Sequence, residues 1–190
     1  MTRSFTDDSV DDGIVDHLLA SARFAPRAGN TQGIEYLVLR NEQVHEYWKT
    51  TFDEESKEGF PWPGLFKAPV LILIWANPDD YVSRYAERDK IDSGLGDDPS
   101  SWSTPFWWVD GGMAAMTILL GAEASGLGTL FFGLFEHENA VKCKFSVPDS
   151  FRSVGAIALG IPAKDQKKSN STKRVRKPLS DVVHLGSWDA

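Results

Sequence analysis

The stretch RFAPRAGNTQG, from Arg23 to Gly33, carries more hydrogen-bonding capacity than a chain reversal needs. Pro26, Gly29 and Asn30 are turn residues, each for its own steric reason. Arg27 and Gln32 are not. A guanidinium and an amide suit the polar edge of a ligand as well as they suit water. Taken alone, the stretch fits either a ligand loop or an Asn-Gly-type turn with solvated arms. A second concentration is basic: Lys164 to Lys177 holds seven Lys or Arg against one acid, in a chain whose net charge is −7. Such a run is a phosphate site or a solvated tail.

Most other chemistry is excluded. No G-x-S-x-G elbow is present. Cys143 lies between two lysines with no histidine near it, and a lone thiol makes no internal disulfide. His17, His45, His137 and His184 are scattered, with no metal-ligand spacing among them. The segment Asp92 to Asp98 does not fit a calcium loop. Gly126-x-Gly128 follows a helical pattern rather than a strand and lacks the third glycine of a dinucleotide fingerprint. The acidic body argues against nucleic-acid binding. The polar N-terminus and the shortness of the longest apolar run, Ala68 to Ala76, predict a cytoplasmic protein without a membrane span. If the chain is an enzyme, its chemistry resides in a bound organic cofactor and no side chain need act as acid, base or nucleophile.

The elements that must position these residues alternate in type. Ser9 to Asp12 has capping-box spacing and predicts a helix over about 10–24. Ile34 to Leu39 reads as a strand, 42–57 as a helix, and Pro61-Trp62-Pro63-Gly64 as its break. Pro69 to Trp75 is apolar without interruption, the mark of a central strand covered on both faces. A short helix over 78–88 precedes a long surface loop, 89–105, that contains Trp102. Phe106 to Ser125 is the most hydrophobic helix and is expected to be the buried one. A strand over 129–132, a helix over 137–145, a strand over 153–160 and a basic tail over 163–190 complete a single α+β domain, 1–190.

Four segments then resemble the nitroreductase family, in the same order and over essentially the whole chain. Ala25 to Gly33 is similar to its A-P-S-x-x-N-x-Q-P loop, and Arg3-Ser4-Phe5-Thr6 to the end of its R-x-S-x-R-x-F motif. Gly126 to Phe135 resembles G-L-G-T-x-x-x-G-G-F. Leu159-Gly160-Ile161-Pro162 with Arg174-Val175-Arg176-Lys177-Pro178-Leu179 resembles L-G-x-P and R-x-R-x-P-L. The resemblance implies a three-layer α-β-α sandwich around a mixed sheet. It also implies an obligate homodimer with FMN at the interface and a C-terminal segment embracing the partner. NAD(P)H would donate hydride through flavin N5 to a nitroaromatic, a quinone or another small electrophile, in ping-pong fashion. Arg3, with Ser4 beside it, would sit near ring N1 and the C2 carbonyl. The backbone at Gly133, between Phe132 and Leu134, would face N5. Pro26, Arg27, Ala28, Asn30 and Gln32 would cover the partner's flavin, and Arg174 and Arg176 would fork the phosphate.

The chain departs from that pattern at three places. The first Arg of the N-terminal motif would precede Met1, which implies an upstream start or a different phosphate grip, with Arg27 as one substitute. The loop Ser is Arg27 and the Pro after Gln is Gly33. Pro61 to Gly64 replaces the polar contacts that the family makes before its central strand. An alternative ligand is the deazaflavin F420, and an alternative role is flavin or F420 storage or sensing without turnover. A third reading is an interaction module that has lost its cofactor. For the acceptor, Trp102 is the expected lid and Phe106 its neighbour, with Phe66, Trp107 and Trp108 as further walls of an aromatic pocket.

Overall fold

The computed structural model describes residues 1–188. Its centre is β2 (Val70–Ala76), in which every residue is buried. β2 lies between β1 (Ile34–Arg40) and β4 (Arg152–Gly160), and β3 (Gly128–Phe132) closes the far edge, giving the order β1-β2-β4-β3. Side chains alternate across a strand. Val70, Ile72, Ile74 and Ala76 therefore face one core, and Leu71, Leu73 and Trp75 face a second. The first core is covered by α1 (Asp12–Ala22), α4 (Pro78–Tyr85) and α5 (Phe106–Ala124). The second is covered by α2 (Glu42–Thr51) and α6 (Glu138–Phe145). This is the expected three-layer sandwich, with a continuous apolar strand wherever both faces are dry.

The sheet is antiparallel at every ladder rather than mixed. β2 and β3 run in the same direction, but β4 enters between them, so no parallel pair forms. Element boundaries also differ from expectation. Asp11, not Ser9, caps α1: its Oδ1 accepts the Ile14 N–H at 3.2 Å. The helix expected over 42–57 is two helices, because Asp53 caps a new turn, α3 (Glu54–Glu58), by accepting the Ser56 N–H at 2.7 Å. The helix expected to 88 ends at Tyr85. Residues 89–105 contain two 3-10 turns, and Trp102 anchors them in the core.

α5 is buried on one face only. Gly111, Ala114, Ala115, Ile118 and Ala122 pack inward, while Met113, Met116 and Leu120 are 40%, 53% and 63% exposed. The tail from 163 onward is exposed along nearly its whole length, with Leu179, Leu185 and Trp188 at least three-quarters exposed. Its expected last residues, 189 and 190, lie outside the described residues.

Ile157 is fully buried at the middle of the sheet, paired with Ile72 on one side and Phe131 on the other. Ile157→Ala is expected to cost about 2–5 kcal/mol through lost burial and an incompletely collapsed cavity. Urea unfolding with an unchanged m-value checks this.

Candidate functional site

The N-terminal six residues form an extended strap over the ends of β3 and β4. Thr2 N–H donates to Thr129 O at 2.7 Å, Phe5 N–H to Gly64 O at 3.0 Å and Ala163 N–H to Ser4 O at 3.0 Å. Phe5, 1% exposed, is the apolar pin. This strap carries Arg3 to a cavity of about 380 Å³, where its guanidinium sits 5.1 Å from the Trp62 ring centroid. That contact is a cation–π pair at the rim. Phe132, Gly133 and Leu134 line the same cavity from the end of β3. Four of the expected cofactor residues thus meet at one place.

The walls are aromatic. Trp48 stacks on Phe132 with centroids 5.8 Å apart, and Phe52 and Phe60 meet edge to face at 5.3 Å. Trp48 is 3% exposed, yet its Nε1–H has no partner among the described residues. A buried donor left this way is costly unless a ligand or water takes it. Burial also pushes the Tyr47 hydroxyl far above its ordinary pKa, so it stays a neutral donor. A Cβ on Gly133 would lie 2.9 Å from Phe135 Cζ. Phe135 itself has φ 47° and is 82% exposed, an uncommon backbone for a bulky side chain.

The loop residues form a second group on the other layer. Arg27 Nη1 donates to Gln32 Oε1 at 3.4 Å, and Gln32 Nε2 donates to Asn30 O at 2.8 Å, so Gln32 ties the loop. Pro26 and Asn30 are exposed. Burial raises the Tyr36 hydroxyl pKa, with the Arg27 charge opposing it. Ala28, Trp102 and Phe106 line a separate cavity of about 300 Å³ with Tyr85 and Leu95. Trp102 is 6% exposed and donates its Nε1–H to Leu95 O at 2.9 Å, so it holds the loop down rather than swinging as a lid.

Within one chain the expected site is therefore in two halves. Arg3 and Phe132 to Leu134 lie on the α2–α6 side, and the 26–32 loop with Trp102 and Phe106 lies on the α1–α5 side. The expected aromatic pocket splits likewise: Phe66 packs on Trp48 and Phe52, Trp107 on Tyr81 and Trp102, and Trp108 is partly exposed on α5. Ser4 does not present its hydroxyl to a cavity; it donates to Asp165 at 2.7 Å. Arg174 and Arg176 are exposed in the tail and line neither cavity.

Sequence reasoning missed Trp48, Tyr47 and Asp110. Asp110 had a signal: it is the one acid in α5 before Glu123. Trp48 had none, because an amphipathic helix explains it equally well. Among the described residues no cluster suits a metal ion, and no helix is long and apolar enough to cross a membrane.

Gly64 tests the strap. A Cβ there would lie 2.8 Å from Ser4 Cβ and 3.0 Å from its Cα. Gly64→Val is expected to lift residues 2–6, separate Arg3 from Trp62 and change the tryptophan emission, while the far-UV circular dichroism is kept.

Comparison with known proteins agrees with this architecture. A family model described as the nitroreductase family matches residues 1–161. A protein of Methanothermobacter thermautotrophicus, provisionally named an NADH dehydrogenase/NAD(P)H nitroreductase, is 27% identical over 190 residues, which is 98% of this chain and 82% of the relative. The crystal structure of a nitroreductase family protein from Streptococcus pneumoniae superimposes with a TM-score of 0.72 at 20% identity, over 96% of this chain and 94% of that one. An FMN-dependent nitroreductase from Clostridium difficile gives 0.67 at 18% identity, over 98% and 94%. The strap, the antiparallel sheet between two helical layers and the matched span together place the chain: it belongs to the nitroreductase family of flavin-dependent oxidoreductases.

Proposed function

We propose that the protein is a homodimeric, FMN-dependent NAD(P)H oxidoreductase acting on a small electrophile such as a nitroaromatic or a quinone. The observation that carries this reading is the meeting of Arg3 with Phe132, Gly133 and Leu134 at one aromatic cavity. The residues present suit an isoalloxazine. Aromatic walls fit a flat ring, Arg3 brings a cation, Gly133 leaves room for close backbone approach, and Trp48 offers an unpartnered N–H. Flavin, when bound, supplies reversible hydride acceptance at N5. The chain's own part is to hold, orient and shield. Arg3 opposes negative charge that develops on the ring. The aromatic walls exclude water, and the neutral Tyr47 adds no charge.

The dimer supplies the other half. The exposed Met113–Met116–Leu120 row and the exposed tail are surfaces that a second copy would cover. In such a dimer the 26–32 loop, Trp102 and Phe106 of one subunit would face the flavin of the other, with Arg174 and Arg176 on the phosphate. The occupied hydroxyl of Ser4 favours a second reading, weaker flavin retention in a storage or sensing role, with F420 as an alternative ligand.

The test is NADH and NADPH oxidation with FMN present and menadione or nitrofurazone as acceptor. Acceptor-dependent oxidation with parallel double-reciprocal lines is expected. Bound flavin without turnover would select the storage reading.

A further inference from the structure

The loop from Arg27 to Thr31 turns through two consecutive left-handed residues. Gly29 and Asn30 are both left-handed, at φ 62° and 55°. Both residue types adopt that region readily, so which shape the loop keeps is set by what surrounds it. α4 holds one side. Arg84 Nε donates to Gly29 O at 2.8 Å, and Asp89 fixes that guanidinium through two bonds of 2.8 Å. The Tyr85 ring fills the space that a side chain at position 29 would need.

α5 holds the other side through a single carboxylate. Asp110 Oδ2 accepts the Ala28 N–H at 2.8 Å and the Tyr81 hydroxyl at 2.9 Å. Asp110 is 2% exposed and lies in a helix face otherwise made of Trp107, Gly111, Ala114 and Ile118. Packing alone would be better served there by an apolar residue, because a buried polar group is costly without partners. Its partners are a core hydroxyl and the first turn of the loop, so its placement is explained by what it holds.

We infer that Asp110 is a positioning residue that locks residues 27–31 and thereby fixes the outward placement of Asn30 and Gln32. The link from this lock to flavin rests on the function proposed above. It adds a buried acid of the partner-facing helix to the residues that govern cofactor retention, although that acid touches no cofactor.

The experiment compares wild type, Asp110→Asn and Asp110→Leu, each with and without bound FMN. It reads tryptic cleavage after Arg27, FMN affinity by fluorescence quenching, and amide exchange at Ala28. Asn keeps an acceptor oxygen; Leu does not. Asp110→Leu is expected to speed cleavage after Arg27 about tenfold over cleavage elsewhere and to weaken FMN about tenfold. Asp110→Asn keeps one acceptor oxygen for both donors and is expected to fall clearly nearer wild type than Asp110→Leu on both. The wild-type Ala28 amide should exchange as slowly as those of α5. The lock is overturned if Asp110→Leu cleaves like wild type, if Asn is as damaging as Leu, or if the Ala28 amide exchanges at free-peptide rates. Should the Leu variant not fold, the wild-type exchange and the Asn variant still decide. A loosened loop with unchanged FMN affinity would overturn the link to flavin. Failure of wild type to take up FMN would sink the proposed function instead, while proteolysis and exchange still judge the lock.

Discussion

Gly133→Val is expected to remove flavin from the protein while leaving the fold intact. Position 133 follows the last residue of β3 and lines the cavity that Arg3 caps. Even a single Cβ there would press on the Phe135 ring at 2.9 Å. A branched side chain would extend further, and Phe135 is already in a strained backbone conformation. The added methyls would take the volume that a flat ring needs for contact with the backbone. A loss of about 100-fold in FMN affinity, about 2.7 kcal/mol, is expected. The global fold should survive, because β3 is an edge strand and position 133 lies beyond its ladder. Flavin fluorescence titration measures the effect. Gly59→Ala, where a new Cβ meets nothing closer than 3.8 Å, should bind like wild type.

Met116→Lys is expected to break the proposed dimer, and with it cofactor retention. Met113, Met116 and Leu120 form one row of α5, spaced three and four residues apart, and all are exposed in the protomer. Helical residues at that spacing share a face. An apolar row on an otherwise core-forming helix needs a cover. In a two-fold interface each substitution is made twice, and two uncompensated ammonium groups would be desolvated. Association should weaken by about 1,000-fold or more, about 4 kcal/mol. Sedimentation at micromolar concentration should then show a colourless monomer with unchanged circular dichroism. A variant that remains a yellow dimer would mean that another surface pairs the subunits.

Much of the fold was legible in the sequence, for identifiable reasons. Val70 to Ala76 could not be mistaken, because seven apolar residues in a row satisfy both faces of a strand. The break in the expected 42–57 helix was written in Asp53, a capping residue, but the polar stretch around it carries no competing period. The sheet's directions were not legible, since they depend on β4 inserting between β2 and β3, a long-range choice with no local trace. The site was legible only in part. Arg3 and Gly133 were found through a resemblance and meet in space. Trp102 was read as a lid because it sits in a polar loop, yet its indole is what binds that loop to Tyr81 and Tyr85. The α5 helix was expected to be buried because it is the most hydrophobic; one of its faces is open, which composition alone does not distinguish.

In the proposed function, flavin binds a dimer built from two incomplete halves. Sedimentation velocity with detection at both 280 and 450 nm, on protein reconstituted with FMN and freed of excess, tests it most directly. One boundary is expected at the dimer mass, with flavin absorbance moving with it at about one flavin per subunit. A monomer boundary carrying the flavin, or a dimer boundary without it after saturation with FMN, would contradict the account.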